Sequence, residues 1–135
     1  MLWKQFFIIF IGGGLGSCFR YALSSFTNGI FNSTFPLGTL VVNLMGCFVA
    51  GCLAGLPMGI ASLAPDLRTA IMIGFLGGFT TFSAYEYETL ILLKENSQGS
   101  AWLNLVTGPL LGLLATVLGY TITKALITAI QFSKK

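Results

Sequence analysis

Histidine is absent, and only four acidic residues stand beside seven basic ones in a chain of 135 residues. So few ionisable groups leave little for general acid–base chemistry, and no imidazole to hold a transition metal. Cys18, Cys47 and Cys52 lie within apolar stretches at spacings that match no metal motif, so they read as thiols packed between helices. The lysines are scattered and form no basic stripe, which argues against nucleic acid as a partner. The first apolar run has no small-residue cleavage site followed by a polar region, so it does not read as a cleavable signal.

What the chain does have is apolar length. Hydrophobic residues make up 55% of it and charged residues 8%, more apolar surface than a soluble chain of this size covers. A bilayer core about 30 Å thick needs roughly 20 mostly apolar residues per helix, and four such stretches are present. They run from about Phe6 to Phe26, from just after Pro36 to about Leu56, from about Leu67 to Leu93 and from about Ala101 to Ile130. The chain is therefore expected to be an all-α integral membrane protein, with residues 1–135 forming a single four-span domain. Pro57 stops the second span, and Asp66 is expected to cap the third. Trp3 and Trp102 stand at span ends, as interfacial anchors do. Four spans put both termini and the second connector on one side, which gathers Lys4, Arg68, Lys134 and Lys135 there and favours cytoplasmic termini.

Within these runs a few residues are out of keeping with lipid. Arg20, near the end of the first span, is either an interfacial anchor or a fixed charge at the mouth of a vestibule that draws anions. Asn43 must find partners in the second span, as glue between helices or as a donor to an anion. Glycines recur four apart, at 12 and 16, 51 and 55, 74 and 78, and 108 and 112, a spacing that lets helix backbones approach. In the third span Gly77 and Gly78 precede Thr80 and Thr81, so the helix is expected to break at midspan and free carbonyls for a hard cation. A β-branched residue at Gly77 is then expected to damage folding. Phe82 and Tyr85, three apart, share a face, and ring edges turned to an aqueous path favour anions.

Taken in order, Gly77-Gly78-Phe79-Thr80-Thr81-Phe82-Ser83, Arg20 after the glycine-rich 12–16 segment, and Asn43 within Gly38-Thr39-Leu40-Val41-Val42-Asn43 resemble the Fluc (CrcB) family of fluoride channels over essentially the whole chain. The resemblance implies an antiparallel, dual-topology homodimer with two fluoride pores and a central structural sodium ion (Na+). It implies that Gly77 and Thr80 give backbone carbonyls to the sodium and that Phe82 and Tyr85 line the pore. Asn43, Thr81 and Ser83 would supply polar contacts, with Arg20 at the vestibule. The family usually has phenylalanine where this chain has Tyr85, a hydroxyl residue where it has Ala84, and polar groups near Asn104 and Gly108. Thr107 and Thr116 are candidate substitutes for that fourth-span track, and Glu86 is an additional acid expected to face the vestibule or a cation.

The function implied is passive fluoride export that relieves fluoride toxicity, with no enzymatic step; the partners implied are fluoride, sodium, the lipid bilayer and a second copy. A proton-coupled multidrug exporter of similar size is the alternative, and it needs an embedded carboxylate. Only Glu86 and Glu88 are available for that role. A purely structural subunit is a third class, in which Asn43 and the third span are packing alone.

Overall fold

The computed structural model describes residues 2–57 and 63–133, so Lys134, Lys135 and most of the second connector lie outside the described residues. Helix α1 spans Leu2–Phe31 and α2 spans Leu37–Ala54. The third run, Pro65–Lys94, is helical over residues 65–79 (α3) and again over Phe82–Lys94 (α4), with Thr80 and Thr81 between them. Helix α5 spans Gln98–Ser133. All four runs are long and apolar enough to cross a membrane, and no strand occurs among the described residues. The chain is a multi-pass membrane protein.

The helix ends differ from those expected for local reasons. Helix α1 continues past Phe26 because Asn28 is used within the fold: its Oδ1 accepts the Gly38 N–H at 3.0 Å, at the unsatisfied start of α2. Asn32 ends the helix with φ 40°, and Asn96 ends α4 with φ 58°, left-handed positions that asparagine tolerates. Asp66 does not cap α3. Pro65 opens that helix, where a missing N–H costs nothing, and Asp66 pairs with Lys4 instead. That ion pair ties the start of the first span to the start of the third, so both lie at one end of the bundle.

Backbones, more than large side chains, make the interfaces. Helix α1 lies along α3, and α2 lies along α5. A β-carbon at Gly12 would stand 2.8 Å from the Ala70 carbonyl, and one at Gly55 would stand 2.7 Å from the Tyr120 carbonyl. Neither helix pair could close to its observed distance with alanine there. Few large apolar residues are buried, among them Val42, Leu76, Phe79 and Leu92. Most phenylalanines and leucines point outward, as lipid requires and water would penalise. Cys18, Cys47 and Cys52 are free thiols.

Candidate functional site

The geometry of the third span follows from its sequence, three residues later than the glycines suggest. Thr69–Leu76 is wound as a π-helix, and Gly77 and Gly78 remain helical, with Gly77 at φ −63°, ψ −34°. Thr80 (φ −84°, ψ 155°) and Thr81 (φ −150°, ψ 117°) are extended, the region β-branched residues favour. The helix resumes at Phe82 with Thr81 as its cap, whose Oγ1 accepts the Ala84 N–H at 3.2 Å. The space the glycines provide is also divided differently from the expectation. A β-carbon at Gly78 would run into the Gly13 carbonyl of α1, whereas one at Gly77 would find nothing nearer than the Met72 carbonyl at 3.8 Å. Gly78 is therefore the packing glycine, and Gly77 faces open space.

Asn43, from α2, satisfies both peptide groups of Thr81, while the Thr80 N–H stays within its own helix, on the Leu76 carbonyl at 2.9 Å. Asn43 Oδ1 accepts the Thr81 N–H at 2.8 Å, and Asn43 Nδ2 donates to the Thr81 carbonyl at 3.0 Å. Arg20 Nε donates to the Gly78 carbonyl at 3.1 Å, with the Ser17 hydroxyl further off at 3.4 Å. Two carbonyls are treated otherwise. In a continuous helix Gly77 would receive the Thr81 N–H, and Thr80 would receive the Ala84 N–H. The first goes to Asn43 and the second to Thr81 Oγ1.

A groove of about 500 Å³ opens beside these groups. It brings together Asn43, Gly77, Thr80, Thr81, Phe82 and Tyr85, floored by Gly46, Gly108 and Pro109. Phe82 stands out from the bundle with 72% of its surface exposed, and its ring lies 5.7 Å from that of Tyr85, tilted by 37°. Tyr85 is 6% exposed. Arg20 and Ser83 do not line this groove. Arg20 is half-buried against α3, and Ser83 is exposed, with its hydroxyl 3.4 Å from that of Thr81.

The fourth span contributes through residues the sequence only partly marks. Thr107 and Thr116 turn their hydroxyls back to the Leu103 and Gly112 carbonyls of their own helix, so both hydroxyls are committed within α5. Asn104 is buried and donates to Thr89 Oγ1 at 2.8 Å, and Thr89 in turn donates to the Tyr85 carbonyl at 2.8 Å. On α4, Glu88 Oε1 accepts from the Thr39 hydroxyl at 2.6 Å, while Oε2 is buried with no partner among the described residues. Glu86 is exposed. The Thr39–Glu88 and Asn104–Thr89 pairs join residues 49 and 15 apart, separations at which no local pattern pairs side chains.

These features define a class: a four-span membrane protein whose third span presents two extended threonines, stitched to its neighbours, beside an aromatic-walled groove. Residues 7–120 match the family model described as CrcB-like protein, Camphor Resistance (CrcB), and the chain belongs to that family. It is 39% identical to the "Fluoride-specific ion channel FluC" of Methylobacillus flagellatus, across 93% of this chain and 98% of that protein. It is 40% identical to the protein of the same name from Citrifermentans bemidjiense, across 91% and 99%. The namesake from Thermus thermophilus is 39% identical, across 92% and 97%.

Proposed function

We propose that this chain is a fluoride-selective channel of the bacterial inner membrane, passing the ion down its gradient out of the cytoplasm and so relieving fluoride toxicity. The observation that carries the proposal is full-length similarity to proteins named fluoride-specific ion channels, at about 40% identity and with no large segment left over on either side. The chemistry of the groove agrees. A small, strongly hydrated anion must exchange its water for donors over a narrow path, and Asn43, Thr81 and the rings of Phe82 and Tyr85 line the groove together, while the Thr80 hydroxyl is turned to the Leu76 carbonyl. Nothing in this process requires an enzymatic step.

The functional unit in this proposal is a homodimer of two antiparallel copies, inserted with dual topology, in which the third span is broken at midspan. The exposed ring of Phe82 and the open side of the groove are the surfaces a second copy would cover. A sodium ion fits the donor set on this chain. The Gly77 and Thr80 carbonyls are hard oxygen donors whose helical N–H partners are engaged elsewhere, and such carbonyls suit an alkali cation. Bound there, sodium would supply a fixed positive charge with a structural role. Arg20, held on the Gly78 carbonyl, adds a second positive charge next to the extended residues.

A proton-coupled exporter is the less favoured alternative. It would need an embedded acid, for which the third span offers Glu86 and Glu88, but the relatives at about 40% identity are named fluoride-specific ion channels. The deciding experiment is ion efflux from liposomes containing only this protein. Rapid fluoride efflux with chloride retained is the expected result. Equal halide fluxes, or fluoride flux no faster than in protein-free liposomes, would remove the channel assignment.

A further inference from the structure

Pro109 lies inside α5, where its ring nitrogen has no hydrogen to donate. The acceptor it leaves without a partner is four residues back, the carbonyl of Leu105. In a membrane interior water cannot make good that loss. Another helix does so: the Tyr85 hydroxyl, from α4, donates to the Leu105 carbonyl at 3.1 Å. The ring that carries this hydroxyl lies against Gly108, where a β-carbon would stand 2.7 Å from Tyr85 Cε2 and 3.2 Å from Cζ. The main-chain end of Tyr85 is held as well, through the Asn104–Thr89 relay to its carbonyl.

We propose that Tyr85 is a positioning residue, and that Tyr85, Gly108 and Pro109 act as one unit setting where the aromatic edge stands in the groove. Pro109 creates the acceptor, Gly108 provides the space for the ring, and the hydroxyl locks the ring in place. Because the hydroxyl is committed to Leu105, it offers no donor to a passing ion; what Tyr85 presents to the groove is its ring. Phe82, 5.7 Å away, rests on a neighbour that cannot swing. Phenylalanine at position 85 would fill the same volume but leave the Leu105 carbonyl bare, so in this chain the exchange is not conservative. The effect on flux rests on the channel reading, whereas the coupling between Tyr85 and Pro109 does not.

The test is a cycle of Tyr85→Phe, Pro109→Ala and the double variant in the full-length protein. Fluoride and chloride efflux from liposomes are measured per assembled protein, alongside melting temperature in detergent. Tyr85→Phe is expected to lower the melting temperature, because the buried Leu105 carbonyl is left unsatisfied, and to lower fluoride efflux and the fluoride-to-chloride ratio severalfold, because the ring has lost the bond that holds it in place. Pro109→Ala should keep at least the parent's melting temperature, because the Leu105 carbonyl has two lone pairs and can accept both the Tyr85 hydroxyl and the restored N–H. The double variant should recover the melting temperature, because the backbone N–H restored at position 109 now serves the Leu105 carbonyl, but not the flux or the ratio, because its ring carries no hydroxyl to hold it in place. A double variant that melts as low as Tyr85→Phe, a double variant that regains the parent's flux and ratio, or a Tyr85→Phe protein that conducts like the parent with unchanged ratio, would overturn the proposal. If Tyr85→Phe does not assemble, restoration of assembly by Pro109→Ala supports the proposal and failure to restore it refutes it. If the parent itself passes no fluoride, the channel reading fails, and the melting-temperature cycle still decides whether the two residues are coupled.

Discussion

Asn43 meets the backbone of Thr81 at both of its peptide groups, accepting from the N–H at 2.8 Å and donating to the carbonyl at 3.0 Å. One carboxamide thus does for an extended residue what a neighbouring strand would do in a sheet. The arrangement explains how two extended residues are tolerated in a span that otherwise has to satisfy its own backbone. It also has a consequence for Gly77, whose carbonyl loses the Thr81 N–H to Asn43.

Replacing Asn43 should therefore unfold the protein before it alters permeation. Asn43→Leu keeps the bulk and removes both bonds, leaving a donor and an acceptor unpaired at about 1–3 kcal/mol each. The expected outcome is a lower melting temperature and aggregation on gel filtration. A variant that melts with the parent would show that other groups satisfy Thr81.

The two central glycines should respond differently to the same side chain. Gly78 abuts the Gly13 carbonyl, so Gly78→Val is expected to separate α1 from α3 and give no assembled protein. Gly77 opens to the groove, with 3.8 Å to the nearest atom of its surroundings, so Gly77→Val should give a folded chain whose added methyls reach toward the groove. Gel filtration of the two variants compares them directly. If Gly77→Val is the one that fails to fold, the roles of the two glycines are reversed.

Arg20 is held on the Gly78 carbonyl, and Ser17 is the only other side chain donating there among the described residues. Arg20→Met should cost about 1–3 kcal/mol through that carbonyl and should also weaken any attraction for anions. The two effects separate with ionic strength, because attraction from a distance is screened and a hydrogen bond is not. A flux deficit that shrinks as salt rises identifies steering. A deficit that is independent of salt and accompanied by a lower melting temperature identifies the carbonyl bond.

The spans were legible because roughly 20 apolar residues in a row seldom suit anything but a bilayer, and the glycine pairs were legible because four-residue spacing repeats a helix face. What each glycine meets was not legible. Nothing local distinguishes Gly77, open to the groove, from Gly78, pressed on α1. The end of α1 was misplaced for a related reason: Asn28 looks like a turn residue until Gly38 is seen to need its oxygen. Thr107 and Thr116 offered hydroxyls in a suitable span, but a threonine in a helix can always bond its own fourth preceding carbonyl, and both do. Pro109 did leave a readable mark, since a proline within an apolar helix always strands a carbonyl four residues earlier. Its partner, Tyr85, becomes evident only once α4 and α5 are packed.

Phe82 offers the sharpest separation of permeation from folding. Its ring is 72% exposed, so the single chain gains little stability from it, while it lines the groove beside Tyr85. Phe82→Ile keeps apolar bulk for lipid or a second copy and deletes the aromatic edge that would face an anion. The melting temperature should stay close to the parent, and single-molecule counting should still give two subunits. Fluoride efflux should fall by about tenfold or more, the loss expected if about 1.4 kcal/mol of edge interaction disappears from the ion's path. Phe82→Tyr, which retains an edge, should keep most of the flux. Should Phe82→Ile conduct like the parent, the ring is a packing element and the ion path depends on Asn43 and the threonines. Should it instead count as a monomer, the ring's first duty is to the second copy, and its part in the path must be tested with the subunits covalently linked.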